Sequence, residues 1–187
     1  MRNALIVTVA VVLLVLAGVK YSSVRGRLLT QRTAIDTQWA GVEEAMQKRA
    51  DLIFNLAAPM KDLSTEIGDV VENISDARGA LAENHTLPEK MAAYNRLNLA
   101  ISRLLVVVEK NRHLRSGAKL SHLPDDVSNT ENEVNIARQR YNEALQTYNA
   151  ALQLFPNNIV AAVSGFTRDD AYIQTGAGAG QLPKMQF

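Results

Sequence analysis

The chain has no cysteine, one tryptophan among 5 % aromatic residues, and five prolines in 187 residues. Without cysteine there are no disulfides, no thiolate metal sites and no cysteine nucleophile, and the compartment stays open. Few aromatics beside much Ala, Leu, Val, Asn, Gln and Glu favour helices over sheets. Charge bias is missing too: 20 Lys and Arg against 19 Asp and Glu leave a net +1. No Lys/Arg-rich tract with interleaved aromatics occurs, so nucleic acid is not an expected partner. The G-x-S-x-G, G-x-G-x-x-G and Walker patterns are all absent, and the expectation is a non-enzyme without a cofactor.

One stretch lacks charge altogether. Ala4 to Val19 reads ALIVTVAVVLLVLAGV. Crossing a bilayer core takes roughly 20 apolar residues, with about 17 the lower end. Lys20 can snorkel and Tyr21 suits the headgroup belt, so residues 1–23 suffice as a transmembrane anchor. A cleaved signal peptide shares the basic start and apolar core, but Leu16-Ala17-Gly18-Val19-Lys20 offers no clean small-x-small site. Arg2 precedes the run, whereas Lys20, Arg25, Arg27 and Arg32 follow it. The positive-inside rule then places the rest of the chain on the cytoplasmic side of the inner membrane.

Beyond the anchor the apolar spacing is helical. Leu28, Ile35, Trp39, Val42 and Met46 step by three, four or seven, and Ile53 to Leu81 continues the phase. A seven-residue repeat keeps one stripe facing partner helices. Pro59 lacks an amide donor and clashes one turn back, which predicts a helix break between Asn55 and Pro59; a single long kinked helix is the other reading. Thr86-x-x-Glu89 has the form of a capping box, with Pro88 in the first turn. A third helix runs from there until it frays at residues 111–117. Pro124-Asp125-Asp126 opens a fourth, and Pro156-Asn157-Asn158 ends it. The expected fold is all-α: an N-terminal transmembrane helix, then an antiparallel four-helix bundle with long coiled-coil-like helices over residues 24–155. In such a bundle the fourth helix returns toward the membrane. Residues 156–173, with Ile159, Val160, Val163 and Phe166, then either close the bundle's end or lie at the membrane interface. Residues 174–187 read as a flexible Gly/Ala linker and tail.

Trp39, the run Lys48-Arg49-Ala50-Asp51-Leu52-Ile53-Phe54-Asn55-Leu56, Ala77-Arg78, and Leu104 to Glu109 together resemble the LemA family. The most specific stretch is Thr130-Glu131-Asn132-Glu133-Val134-Asn135-Ile136-Ala137-Arg138-Gln139-Arg140-Tyr141-Asn142, followed by Tyr148-Asn149 and Phe155-Pro156. It is similar to the family's TENRIAxARxxYN, YN and FP. The resemblance runs from Val24 to Tyr172, with an anchor before it. It implies a membrane-anchored helical bundle of the bacterial envelope and no particular reaction. Phe54 stands where the family usually has proline, and Lys110 to Ser116 replaces its YPDLKAN stretch. The Gly-Ala linker and the Phe187 tail are not family pattern.

Arg49, Asp51, Glu131, Asn132, Arg138 and Asn142 are polar positions in or beside the apolar seam. They read either as a buried network that sets helix register or as a partner-binding cluster, with Arg49 or Arg138 paired to Glu131. Tyr141 and Tyr148, one heptad apart, suit the core edge. His85, His113 and His122 fall in or beside loops, and His122 with Asp125 or Asp126 makes only an incomplete ligand set, so no metal site is expected. At the C-terminus, Met185 and Phe187 alternate before a free carboxylate, the form that PDZ grooves capture by strand addition. The partners expected are therefore membrane lipid and an unidentified protein, with homo-oligomerisation open. Three functions follow: a scaffold or interaction module, a ligand or regulator of a PDZ-containing envelope protease, and membrane shaping or organelle-membrane biogenesis.

Overall fold

The computed structural model describes residues 2–83, 85–110 and 122–174. Among these the chain forms five α-helices, one 3-10 turn and no strand. The first helix, α1 (Arg2–Ala57), is a single helix of 56 residues. It passes residue 23 without a break, so the apolar run and the first amphipathic stretch share one helix. At 1.5 Å per residue, Arg2 to Tyr21 covers about 30 Å, the thickness of a bilayer's hydrocarbon core. This segment is long and apolar enough to cross a membrane, with a mean hydropathy of 2.3 over its best window. Its large apolar side chains stand bare: Leu14 is 73 % exposed and Val7 61 %.

Pro59 does end α1. The 3-10 turn Ala58–Met60 follows, with the Lys61 amide donating to Ala58 O at 3.2 Å. Ser64 then caps α2 (Thr65–Ala82): its hydroxyl accepts from the Ile67 amide at 3.3 Å. The single-kinked-helix reading is thereby overturned, because α1 ends at Ala57 and α2 starts anew with its own N-cap at Ser64. Before α3 (Leu87–Lys110) the expected capping box is half made. The Glu89 carboxylate accepts from the Thr86 amide at 2.8 Å, but the Thr86 hydroxyl donates to that carboxylate rather than capping the helix. These bonds hold the Glu89 carboxyl below its ordinary pKa. The fourth helix, α4 (Leu123–Gln153), starts with Asp125 and Asp126 in its first turn, where carboxylates suit the helix dipole. The short α5 (Asn157–Ser164) ends on Gly165 at φ 75°. The Phe166 amide donates back to Ala161 O at 3.0 Å, a Schellman closure that needs this left-handed residue.

The helices distribute over two compact units, each with its own core. Residues 39–139 form an antiparallel four-helix bundle from the last part of α1, α2, α3 and the first part of α4. Short links join α1 to α2 and α2 to α3. The seam holds Val42, Met46, Ile53, Ile74, Leu97, Ile101, Leu104 and Val134, all at most 2 % exposed. Leu63, which carries the same heptad phase, is instead 59 % exposed; it lies in the turn after Pro59, where helical periodicity no longer decides direction.

Residues 1–38 and 140–173 form the other unit. Val24 and Leu28 of α1 pack on Ala151 of α4 and on Val160 and Ala161 of α5, with Leu152 and Phe166 at the edge. Phe155, in phase with the α4 stripe, is 80 % exposed, because α4 has already ended at Gln153 and the chain turns there.

Candidate functional site

The bundle's interior carries charge. Arg49 of α1 is buried, and its Nη1 sits 2.8 Å from a Glu131 carboxylate oxygen and donates to Val127 O at 3.0 Å. The Tyr94 hydroxyl of α3 donates to Glu131 Oε2 at 2.9 Å. Arg138, one helical repeat after Glu131 on α4, is fully buried and lays its guanidinium over the Tyr94 ring at 4.5 Å. Arg49 approaches the same ring at 5.9 Å. Two cations and one carboxylate thus converge on one tyrosine, and the ring face supplies part of the attraction that a second carboxylate would. Burial pushes the Tyr94 phenol far above its ordinary range, against the pull of Arg49 and with the push of Glu131. Burial also lowers Arg138. Among the described residues Arg49 Nε and Arg138 Nε and Nη2 find no acceptor.

The other polar positions separate from this centre. Asp51 accepts from Arg78 of α2 and from Gln47. Arg78 also stacks on Phe54 at 4.8 Å, a contact that the usual family proline at this position would not make. Asn132 is exposed, since it lies about 100° around the helix from Glu131. Asn142 belongs to the other unit. There it makes a two-way pair with an extended backbone: its Nδ2 donates to Ile173 O, and its Oδ1 accepts from the Ile173 amide at 2.9 Å.

Asn149, one heptad on, repeats the pattern with Asp169, donating to its carbonyl at 2.6 Å and accepting from its amide at 3.0 Å. Between them Tyr148 donates to Thr167 O at 3.0 Å, and Arg32 of α1 pairs with the Asp169 carboxylate at 2.6 Å. The Tyr-Asn doublets of α4 therefore hold residues 167–173 against the helix as a β-strand partner would. Burial pushes the Tyr141 phenol up to about 12.

Lys90 escaped the sequence reading. It is buried, donates to Leu81 O at 3.0 Å and pairs with Glu43 at 3.0 Å, so it satisfies a carbonyl at the end of α2. Its position four residues before Tyr94, on the apolar stripe of α3, was the available signal. His85 sits by Glu83 at 2.9 Å and His122 is exposed; His113, Met185 and Phe187 lie outside the described residues. Among the described residues no group of three or more His, Cys, Asp or Glu gathers as a metal site.

A helix of membrane-spanning length and composition leading into a charged-seam helical bundle defines the class: a membrane-associated all-helical protein. None of the curated proteins matches the chain. The family model does: the chain belongs to the LemA family, matched over residues 38–187. That stretch leaves out the apolar run and takes in the Gly-Ala segment and the Phe187 tail, which the residue-level resemblance had left outside.

Proposed function

We propose that this protein is a single-pass inner-membrane protein whose helical bundle serves, without catalysing a reaction, as a scaffold or protein-interaction module on the cytoplasmic side. The observation that carries this reading is the continuity of α1: one helix contains both the bare apolar run and a buried seam of the bundle. The polar side chains inside the bundle are engaged in helix-to-helix contacts, which suits a rigid display surface. On that surface Leu99 and Val106 of α3 stand 65 % and 49 % exposed. The basic residues that follow the run support the cytoplasmic placement.

Two measurements test this in intact cells. The chain has no cysteine of its own, so a single Glu72→Cys on exposed α2 reports sidedness. Protection from an impermeant thiol reagent until the membrane is opened is the expected result; labelling of intact cells would put the bundle outside. A photo-crosslinking residue at position 99 or 106 should yield a discrete adduct with another protein or a second copy. Adducts with lipid alone, or none, would count against a scaffold.

A further inference from the structure

The helix α5 is apolar on two sides, and only one is used. Val160 and Ala161 are buried on Val24, Leu28 and Ala151. On the other side Ile159 and Val163, one turn apart, are 56 % and 71 % exposed, and the turn just before α5 adds Leu154 at 61 % and Phe155 at 80 %. Four large apolar side chains so close in sequence are not the scattered surface residues that folded proteins carry routinely.

Their position relative to the apolar run says what covers them. Ser164 Oγ at the end of α5 hydrogen-bonds the Tyr21 hydroxyl at 2.9 Å, and Val160 and Ala161 rest on Val24 and Leu28. Tyr21 and Val24 stand only about 3 and 8 Å along α1 beyond Val19, the last residue of the run. That is the level of the headgroups just outside the hydrocarbon core, where amphipathic helices lie with their apolar face turned to the acyl chains. Cations for the headgroups, absent from α5 itself, come from α1. Lys20, Arg25 and Arg27 are exposed at this level and have no ion-pair partner among the described residues. The same cations would repel one another across a symmetric contact between two copies.

We propose that Leu154, Phe155, Ile159 and Val163 form a second membrane contact, inserting into the interface of the bilayer that α1 crosses. One face of α5 closes the small core on α1 and α4, and the opposite face rests in lipid. The unit formed by residues 1–38 and 140–173 is then bound to the bilayer at two points, by the span and by a lateral foot. This inference rests on α1 spanning the membrane.

The test uses the full chain in vesicles of neutral and anionic phospholipid, with single cysteines carrying a nitroxide at position 163, 159, 14 or 72. Collision with oxygen, which concentrates in lipid, is compared with collision with a water-soluble nickel chelate. The oxygen-to-nickel ratio at 163 and 159 should be several times that at 72 and approach that at 14. A ratio at 163 equal to that at 72, with 14 still in lipid, overturns the foot and leaves the span intact. If 14 also behaves as water-exposed, the spanning reading has failed first. A label at 163 that is immobilised and reached by neither reagent means that protein covers the patch, which also overturns the proposal.

Discussion

The two units put polarity in opposite places. In residues 39–139 charges lie inside, with Arg49, Arg138, Glu131 and Lys90 in or beside the seam, and the apolar residues are mostly covered. In residues 1–38 and 140–173 the clamp is made largely of neutral groups bonded to backbone, Asn142, Tyr148 and Asn149, beside the Arg32–Asp169 pair, and large apolar side chains stand bare from Leu5 to Val19 and again at Leu154, Phe155, Ile159 and Val163. A buried charge pair is costly to desolvate and contributes register more than stability. An amide that mimics a strand partner carries no such penalty and can fasten an extended segment. The unit that holds the apolar run thus has an outer surface suited to lipid, and the bundle has one suited to water.

The sharpest way to break this contrast is to remove the carboxylate that the buried Arg49 takes. Glu131→Ala leaves Arg49 without its ion pair, and breaking such a pair typically costs about 3–5 kcal/mol. With Glu131 at 32 % side-chain exposure, the lower end applies. Urea unfolding of the detergent-solubilised protein, followed by helicity, should show it. Arg138→Met should cost far less, since it removes a buried charge together with two unsatisfied nitrogens; an equal loss for both would mean that Arg138 is held by more than the Tyr94 ring.

In the other unit Asn149→Ala deletes both bonds to Asp169, about 1–2 kcal/mol, and should loosen residues 165–173 without unfolding the bundle. Faster tryptic cleavage after Arg168 is the expected readout, and paired with Asn142→Ala it should be faster still. Unchanged cleavage in the double variant would show that the segment is held by other contacts. Gly165→Ala, smaller again, forces a side chain into the left-handed region at a cost of about 1 kcal/mol and should weaken only the junction after α5.

The last effect is absent at neutral pH. Tyr94, Tyr141 and Tyr148 all have folded-state pKa values raised by burial, Tyr141 to about 12. An acid whose folded pKa lies above its unfolded value of roughly 10 favours folding below that value and loses the benefit as pH rises through the folded pKa. Helicity should hold to about pH 10 and fall above it, with part of the phenolate absorbance appearing only as the helices melt. Full ionisation of all five tyrosines with helicity intact would contradict the burial of these rings.

Much of this was legible in the residues. The apolar run, the breaks at Pro59, Pro88, Pro124 and Pro156, and the heptad seam follow from local rules: apolar length, missing amide donors and a repeat of 3.5. The candidate polar positions were harder. Arg49 beside Glu131 could be guessed from their place on the seam, yet Asn132 points away and Asn142 serves a different unit, because one step around a helix or one turn along it changes the neighbour entirely.

The sequence by itself determined an all-helical chain with one segment apolar enough for a membrane, since periodicity and charge-free length are properties of the strand of residues alone. Only the tertiary structure decided which cation takes the carboxylate and which lies on the ring, and that the Tyr-Asn doublets fasten an extended segment. It also decided that α5 sits beside Tyr21 with one apolar face covered and the other bare. These depend on which helix faces become neighbours, and that is settled by packing between residues from 19 to 143 positions apart.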